Sequence, residues 1–266
     1  MKKDLILITG ATGGMGYEAA LHFGKDSRLL LLDVDEEKLK NLQKEIGPHA
    51  SYIKFDITKG EDIEKVKTFV EQAGGFKHLI HFAGVSESMG NSELIYKINL
   101  IGTKVLLNAL YDLIVPGGVV INTSSITAHM TPLVEGVDKL LKDPLAEDFL
   151  PNILKLTETT NQAYGWSKLG VVELSKIEAM RWGKKHARIV SISPGAIRTP
   201  MVEKEMEKNA ESINQLIALT PVGRIGETSD IVNLVSFLVS DKASFISGID
   251  IIIDGGVVEV FKSFMQ

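Results

Sequence analysis

The sequence predicts an α/β fold, a doubly wound parallel sheet (Rossmann-like) of about seven strands with a small helical insertion, and three observations carry that expectation. Short β-rich runs alternate with longer helical patterns from one end of the chain to the other. The strand runs lack polar alternation, as strands do when helices cover both faces of their sheet. A glycine-rich turn joins the first run directly to the first helical pattern.

The elements follow in order. Leu5-Ile6-Leu7-Ile8 is a buried-strand run, and a helical pattern from Tyr17 to Phe23 comes after the glycines. Leu29 to Leu32 forms a second run closed by Asp33, and Lys38, Leu39, Leu42 and Ile46 mark a helix ending at Gly47-Pro48. Tyr52-Ile53-Lys54-Phe55 leads into Asp56, and Ile63, Val66, Phe69 and Val70 share one helical face. Leu79-Ile80-His81-Phe82 is the fourth strand. A long helix is expected to end at Pro116-Gly117-Gly118, before the fifth strand at Val119-Val120-Ile121. Ile189 to Ile192 and Ile249 to Ile253 complete the set, with right-handed crossovers between parallel strands.

One stretch breaks the rhythm. Residues 126–163 hold Pro132, Pro144 and Pro151, and a structureless loop of that length would be unusual. Leu133, Val134, Val137, Leu140 and Leu141 make one helical face, and Leu145, Phe149, Leu150, Ile153 and Leu154 a poorer one. We therefore expect a single domain over 1–266 with a helical insertion at 126–163, either roofing a site or packing on neighbouring helices.

Composition narrows the function classes. The 266 residues carry 34 acidic and 29 basic side chains, a formal charge of −5, which argues against nucleic acid as the main partner. Zero cysteines exclude thiol catalysis, cysteine-ligated zinc and iron–sulfur clusters. No apolar run approaches the ~20 residues that span a bilayer, so neither a membrane partner nor a metal is expected and a cytoplasmic location is the default.

Thr9-Gly10-Ala11-Thr12-Gly13-Gly14-Met15-Gly16 is the first motif with chemistry. Between strand and helix, glycines bring the backbone close to a pyrophosphate while the helix N-terminus offers N–H groups. Asp33, at the end of the second strand, suits the adenosine ribose hydroxyls, and its carboxylate would repel a 2′-phosphate. Gly13 and Val34, where a compensating cation might otherwise stand, are uncharged; NAD is therefore the expected cofactor. Tyr164 and Lys168 lie one helical turn apart on one face, where the ammonium would lower the phenol's pKa.

Taken together, Thr9 to Gly16, Phe82-Ala83-Gly84, Asn99, Ser124-Ser125, Tyr164 to Lys168, Pro194-Gly195 and Asp254-Gly255-Gly256 resemble the short-chain dehydrogenase/reductase family, in its order and over nearly the whole length. The resemblance implies a catalytic set of Asn99, Ser125, Tyr164 and Lys168. Ser125 would steady charge on the substrate oxygen, Tyr164 would transfer its proton, Lys168 would tune the tyrosine and bind ribose, and Asn99 would hold a water. It also implies a cofactor path along Gly10, Thr12, Gly14, Met15, Gly16, Asp33, Asp56, Ile57, Ala83, Gly84, Tyr164, Lys168, Pro194, Gly195, Ile197 and Thr199.

Departures from the family pattern are informative. His81-Phe82 stands where the family often has two asparagines, so His81 is either an adenosine contact or a packed strand residue. Ser125 and Tyr164 are separated by the insertion, as in the hydroxysteroid dehydrogenase/carbonyl reductase group that the chain resembles. That points to a hydrophobic ketone or secondary alcohol, with Met201 to Thr220 as a mobile substrate loop. Reduction of 3-oxoacyl thioesters is the rival chemistry, and a non-catalytic NAD-binding sensor the rival class. Assembly as a homodimer or homotetramer is expected.

Overall fold

The structure is a computed structural model and describes residues 4–200, 214 and 217–264. Seven parallel strands form one sheet: β1 (Leu5–Thr9), β2 (Arg28–Asp33), β3 (Ala50–Lys54), β4 (Phe76–His81), β5 (Ile114–Thr123), β6 (Arg188–Pro194) and β9 (Asp250–Ile253). Their spatial order is β3-β2-β1-β4-β5-β6-β9. The intervening β7 (Ile197–Arg198) and β8 (Gly226–Glu227) pair only with each other.

The uninterrupted apolar runs have a simple cause. Along β1, Ile6 and Ile8 face one hydrophobic cluster and Leu5 and Leu7 the other, so every side chain of the strand is buried. Helices α1 (Gly14–Phe23), α2 (Glu36–Ile46) and, late in the chain, α10 (Thr228–Val239) serve the first cluster. Helices α3 (Gly60–Ala73) and α5 (Thr103–Leu110) serve the second. Each leucine or isoleucine buried this way contributes about 1.5–3 kcal/mol before entropy is counted.

Between β4 and β5 the expected long helix is broken. It comprises α4 (Ser92–Tyr96), a π-helical stretch over Lys97–Gly102 and α5, and β5 begins at Ile114 rather than after Gly118. A strand can include Pro116 there because this end lies outside the continuous β4–β5 register, which resumes at His78–Val119.

In the 126–163 stretch lie α6 (Thr127–Met130), α7 (Val137–Leu140) and α8 (Phe149–Leu156). The first apolar face predicts too much helix, since Leu133 and Val134 lie outside α7 and are exposed. The poorer face forms the longer helix, because Pro151 falls in the first turn of α8, where a missing N–H costs nothing. Val137, Leu141, Phe149 and Ile153 are fully buried against Tyr96, Leu100 and Trp166.

Helix α9 (Thr160–Gly183) starts before Tyr164. The Thr159 hydroxyl accepts from the Gln162 N–H at 3.2 Å and the Gln162 side chain accepts from the Thr159 N–H at 3.1 Å, a capping box legible in the sequence as Thr-x-x-Gln. A final helix, α11 (Val257–Ser263), follows β9. Among the described residues no helix is long and apolar enough to cross a membrane. Most of the expected substrate loop, Met201 to Thr220, lies outside the described residues.

Candidate active site

The chain leaves β1 to build β2 and β3 on one side, then crosses to β4 on the other, so a crevice opens at the carboxyl ends of β1 and β4. Crevices at such reversal points are where doubly wound sheets bind ligands. The turn after β1 is shaped by backbone crowding. Gly10 has φ +63°, and a Cβ there would stand 2.9 Å from the Ala83 nitrogen. A Cβ on Gly16 would lie 2.1 Å from the Gly10 carbonyl oxygen. Gly16 therefore lets α1 close onto the turn, and it lines none of the cavities described below.

On the β2 side, a cavity of about 330 Å³ is walled by Gly10, Thr12, Asp33, Asp56, Ile57, Ala83 and Gly84, all expected from sequence. The Asp33 carboxylate accepts from the Thr12 N–H at 3.0 Å and from the Asp35 N–H at 3.2 Å, which fixes it at the rim. Asp56 accepts from the Thr58 N–H and hydroxyl, and so turns toward the start of α3. Gly13 replaces Gly14 in this wall; Gly14 packs instead under the Thr199 side chain. Lys38 also reaches the wall, a cation missed in the sequence because it comes from the next helix. It is held by Asp35 at 3.0 Å.

A second cavity of about 240 Å³ shares Phe82, Gly84 and Val85 with the first. Its wall brings together Ser125, Tyr164 and Lys168 with Met15, Pro194, Gly195, Ile197 and Thr199. The two cavities together hold every expected cofactor contact except Gly14 and Gly16. The donor set along the two cavities suits an elongated ligand with a ribose and a diphosphate, with Asp33 in one wall, Tyr164 and Lys168 in the other, and Gly84 in both, where packing leaves no room for a side chain. A Cβ on Gly84 would come within 3.0 Å of the Lys168 ammonium and 3.2 Å of Asn99 Oδ1.

Ser125 and Tyr164 line the same cavity wall, and the Ser125 hydroxyl accepts from the Thr127 N–H at 3.3 Å. Lys168 Nζ stands 5.8 Å from the centre of the tyrosine ring and donates to the Thr123 carbonyl at 2.9 Å. Thr123 was not anticipated, since a backbone acceptor leaves no side-chain signal. Burial pushes Lys168 down to about 8. It also pushes the Tyr164 phenol up, opposed by the Ser125 hydroxyl and reinforced by the Glu87 carboxylate. This differs from the expected lowering by Lys168: desolvation of the phenol outweighs the nearby ammonium, whose own charge is weakened by burial.

Asn99 sits in the π-helical stretch, a distortion common at functional sites. Its side chain accepts from the Val85 N–H at 2.8 Å and donates to the Val85 carbonyl at 2.9 Å, clamping the loop after Gly84. Its own carbonyl accepts from the Thr103 hydroxyl at 2.7 Å. His81 is buried and lines neither cavity, which removes it from adenosine contact. Among the described residues no cluster of three histidine or acidic side chains could hold a metal.

Residues 4–136 match the family model described as short chain dehydrogenase, and residues 154–258 match the model described as Enoyl-(Acyl carrier protein) reductase. The chain is 30% identical to the short-chain dehydrogenase/reductase aba4 of Botryotinia fuckeliana over 95% of each chain. It is 27% identical to the NADH-dependent L-xylulose reductase of Ambrosiozyma monospora, over 95% of this chain and 94% of that one. The 3-alpha-hydroxysteroid dehydrogenase of Pseudomonas sp. B-0831, solved with NADH, shares the fold at TM-score 0.80 and 23% identity, over 97% and 98% of the two chains. ElxO with NADP bound superposes at TM-score 0.75 and 25% identity, over 97% and 99%. With two family models laid end to end along it and a crevice at the sheet reversal, this chain belongs to the short-chain dehydrogenase/reductase family of oxidoreductases.

Proposed function

We propose that the protein interconverts a secondary alcohol and a ketone with NAD(H), acting on a hydrophobic carbonyl substrate with Tyr164 as the acid/base. The observation that carries this reading is the convergence of Ser125, Tyr164 and Lys168 on one cavity that is continuous with the cradle behind Asp33. When bound, the nicotinamide supplies or removes hydride. The protein's part is to manage the oxygen. Ser125 donates to it as negative charge builds, and Tyr164 passes it a proton, so charge never stands unpaired in a dry site. Raising the phenol's pKa keeps it protonated and ready to donate during ketone reduction. Lys168, held by the Thr123 carbonyl beside Gly84, has donors left for ribose hydroxyls.

Asp33 supports NAD over NADP. Its carboxylate is backed by Asp35, and Lys38, the one cation in that cavity wall, is already paired with Asp35. Steady-state kinetics with both cofactors should favour NAD at least tenfold in kcat/KM, about 1.4 kcal/mol; a preference for NADP overturns the assignment. Replacing Tyr164 by Phe should lower turnover by a factor on the order of 10³ while NADH still binds. Retained turnover would strip Tyr164 of its role.

Hydrophobic substrate preference rests on Met15, Val85 and Ile197 in the cavity wall and on the apolar insertion that begins one residue after Ser125. A second reading, 3-oxoacyl thioester reduction, is favoured by the match of residues 154–258 to the enoyl reductase model. An NADH-absorbance screen of steroids, small ketones, sugars and acyl thioesters separates them; turnover confined to thioesters selects the second. We also propose a homodimer, built on the C-terminal edge of the sheet.

A further inference from the structure

We propose that His81 is a positioning residue that closes a ring of hydrogen bonds around Gly84 and thereby sets the passage through which the nicotinamide half of the cofactor must run. The inference rests on the cofactor reading above and assigns a task to a residue that touches neither cavity.

The ring can be followed bond by bond. The Ala83 N–H donates to Thr9 Oγ1 at 3.1 Å, and Thr9 Oγ1 lies 2.7 Å from His81 Nδ1. His81 Nε2 lies 2.9 Å from Thr103 Oγ1, which donates to the Asn99 carbonyl at 2.7 Å. Asn99 then clamps the Val85 peptide through both atoms of its amide. Ala83 and Val85 flank Gly84 in the chain, so the circuit is complete.

Polarity runs one way around it. Thr103 spends its proton on Asn99, so it must accept from His81, which fixes the proton on Nε2. Nδ1 is then bare and accepts from Thr9, whose oxygen is free to take the Ala83 N–H. Both ring nitrogens and both hydroxyls are thereby partnered, Asn99 Nδ2 also donates to Ser167 Oγ at 3.2 Å, and a second proton on the imidazole would face the Thr9 hydroxyl head-on. Burial accordingly holds His81 down at about 3, with Lys168 adding to the effect. Two threonines and a neutral imidazole thus tie the end of β1, the end of β4 and the π-helical stretch to one another. Gly84 is the point they enclose, where Lys168 and Asn99 crowd within 3.2 Å of any added Cβ.

The test needs no substrate. NADH affinity, read by fluorescence titration, should fall about tenfold in Thr103→Val, the loss expected when one buried hydrogen bond is broken. Thr103→Ser, which keeps the hydroxyl, should bind within about twofold of the wild type. Ser175→Ala breaks two buried bonds, a donation to the Val171 carbonyl and an acceptance from Asn122 Nδ2, at residues that line neither cavity, and should also bind within about twofold. In ¹⁵N-histidine spectra of the wild type, with His81→Asn for assignment, His81 should show one protonated and one bare ring nitrogen, unchanged from pH 5 to 8. Unaltered NADH binding in Thr103→Val, an Nδ1-protonated ring, or titration within that range overturns the proposal by itself. A wild type that binds neither NADH nor NADPH overturns the cofactor reading and this one with it.

Discussion

A lysine buried among strand ends and stripped of water is a liability to the fold, and Lys168 shows how large. Its pKa falls from 10.5 to about 8, so between those values the unfolded chain holds more protons than the native one. The sign follows: the penalty is complete below pH about 8 and fades as the pH rises toward 10.5. Lowering an ammonium that far corresponds to something on the order of 3 kcal/mol. Lys168→Met, measured without added cofactor, should therefore raise stability by about 1–2 kcal/mol at pH 7 and lose that advantage by pH 10.5, in paired thermal melts. A pH-independent difference would show that packing, not charge, governs the site. Asp250 works in the opposite sense. Burial opposes its ionisation, but hydrogen bonds from His129, Ser191 and Ser193 prevail and hold its carboxyl below the usual range. Its contribution is present at neutral pH and is lost as the pH falls through that lowered value. The residues proposed to touch ligand were legible in the sequence because function dictates their type: Asp33, Ser125, Tyr164 and Lys168 announce their chemistry. Thr9, Thr103 and Thr123 were not, since a hydroxyl or carbonyl acquires a task only when folding supplies a partner 22 to 72 positions away.

Elements were legible where one local rule governed them and misread where two competed. Strands β1 and β2 follow from apolar runs alone, because helices on both faces remove any need for alternation. Helix α9 could have been started correctly from its capping box, whereas the π-helical stretch before α5 leaves no periodic trace. In the 126–163 stretch, hydrophobic spacing was weighed without the turn residues. Gly136, with φ +91°, stands at the N-cap of α7 and starts the helix late, leaving Leu133 and Val134 outside it, and Pro151 favours rather than breaks α8. The same stretch offers a direct choice between roof and packing element. Phe149 is buried and meets Tyr96 edge-on at 6.1 Å, which is the signature of a fixed core contact. Phe149→Ala should therefore cost about 3–5 kcal/mol in urea unfolding monitored by circular dichroism. A cost below about 1 kcal/mol would mean that α8 lifts away readily, as a lid must.

At the scale of the whole molecule, the sheet has two ends of unlike character. Along β1 and β2 the apolar side chains are buried, yet in β9 all four residues, including Ile251, Ile252 and Ile253, remain only half-buried. Among the described residues β9 pairs with β6 alone, so it forms the edge of the sheet and sets apolar side chains beside that edge. Proteins seldom leave such an edge bare. The segments leading into and out of it are also apolar at their surfaces: Phe237 on α10, Phe245 and Ile249 before the strand, and Phe261 and Phe264 at and just beyond α11, with Phe245 fully exposed. A second copy of this chain, two-fold related and meeting the first through this edge, would cover these groups in a closed and self-complementary way. Sedimentation velocity at micromolar concentration should show a dimer, and Phe245→Lys should shift it toward monomer while leaving the circular dichroism spectrum unchanged. A wild type that sediments as a monomer at those concentrations, or a variant that dimerises as tightly as its parent, would place the interface elsewhere. The remaining exposed apolar positions on α9, Ile177 and Met180, would then become the next surface to test by the same substitution.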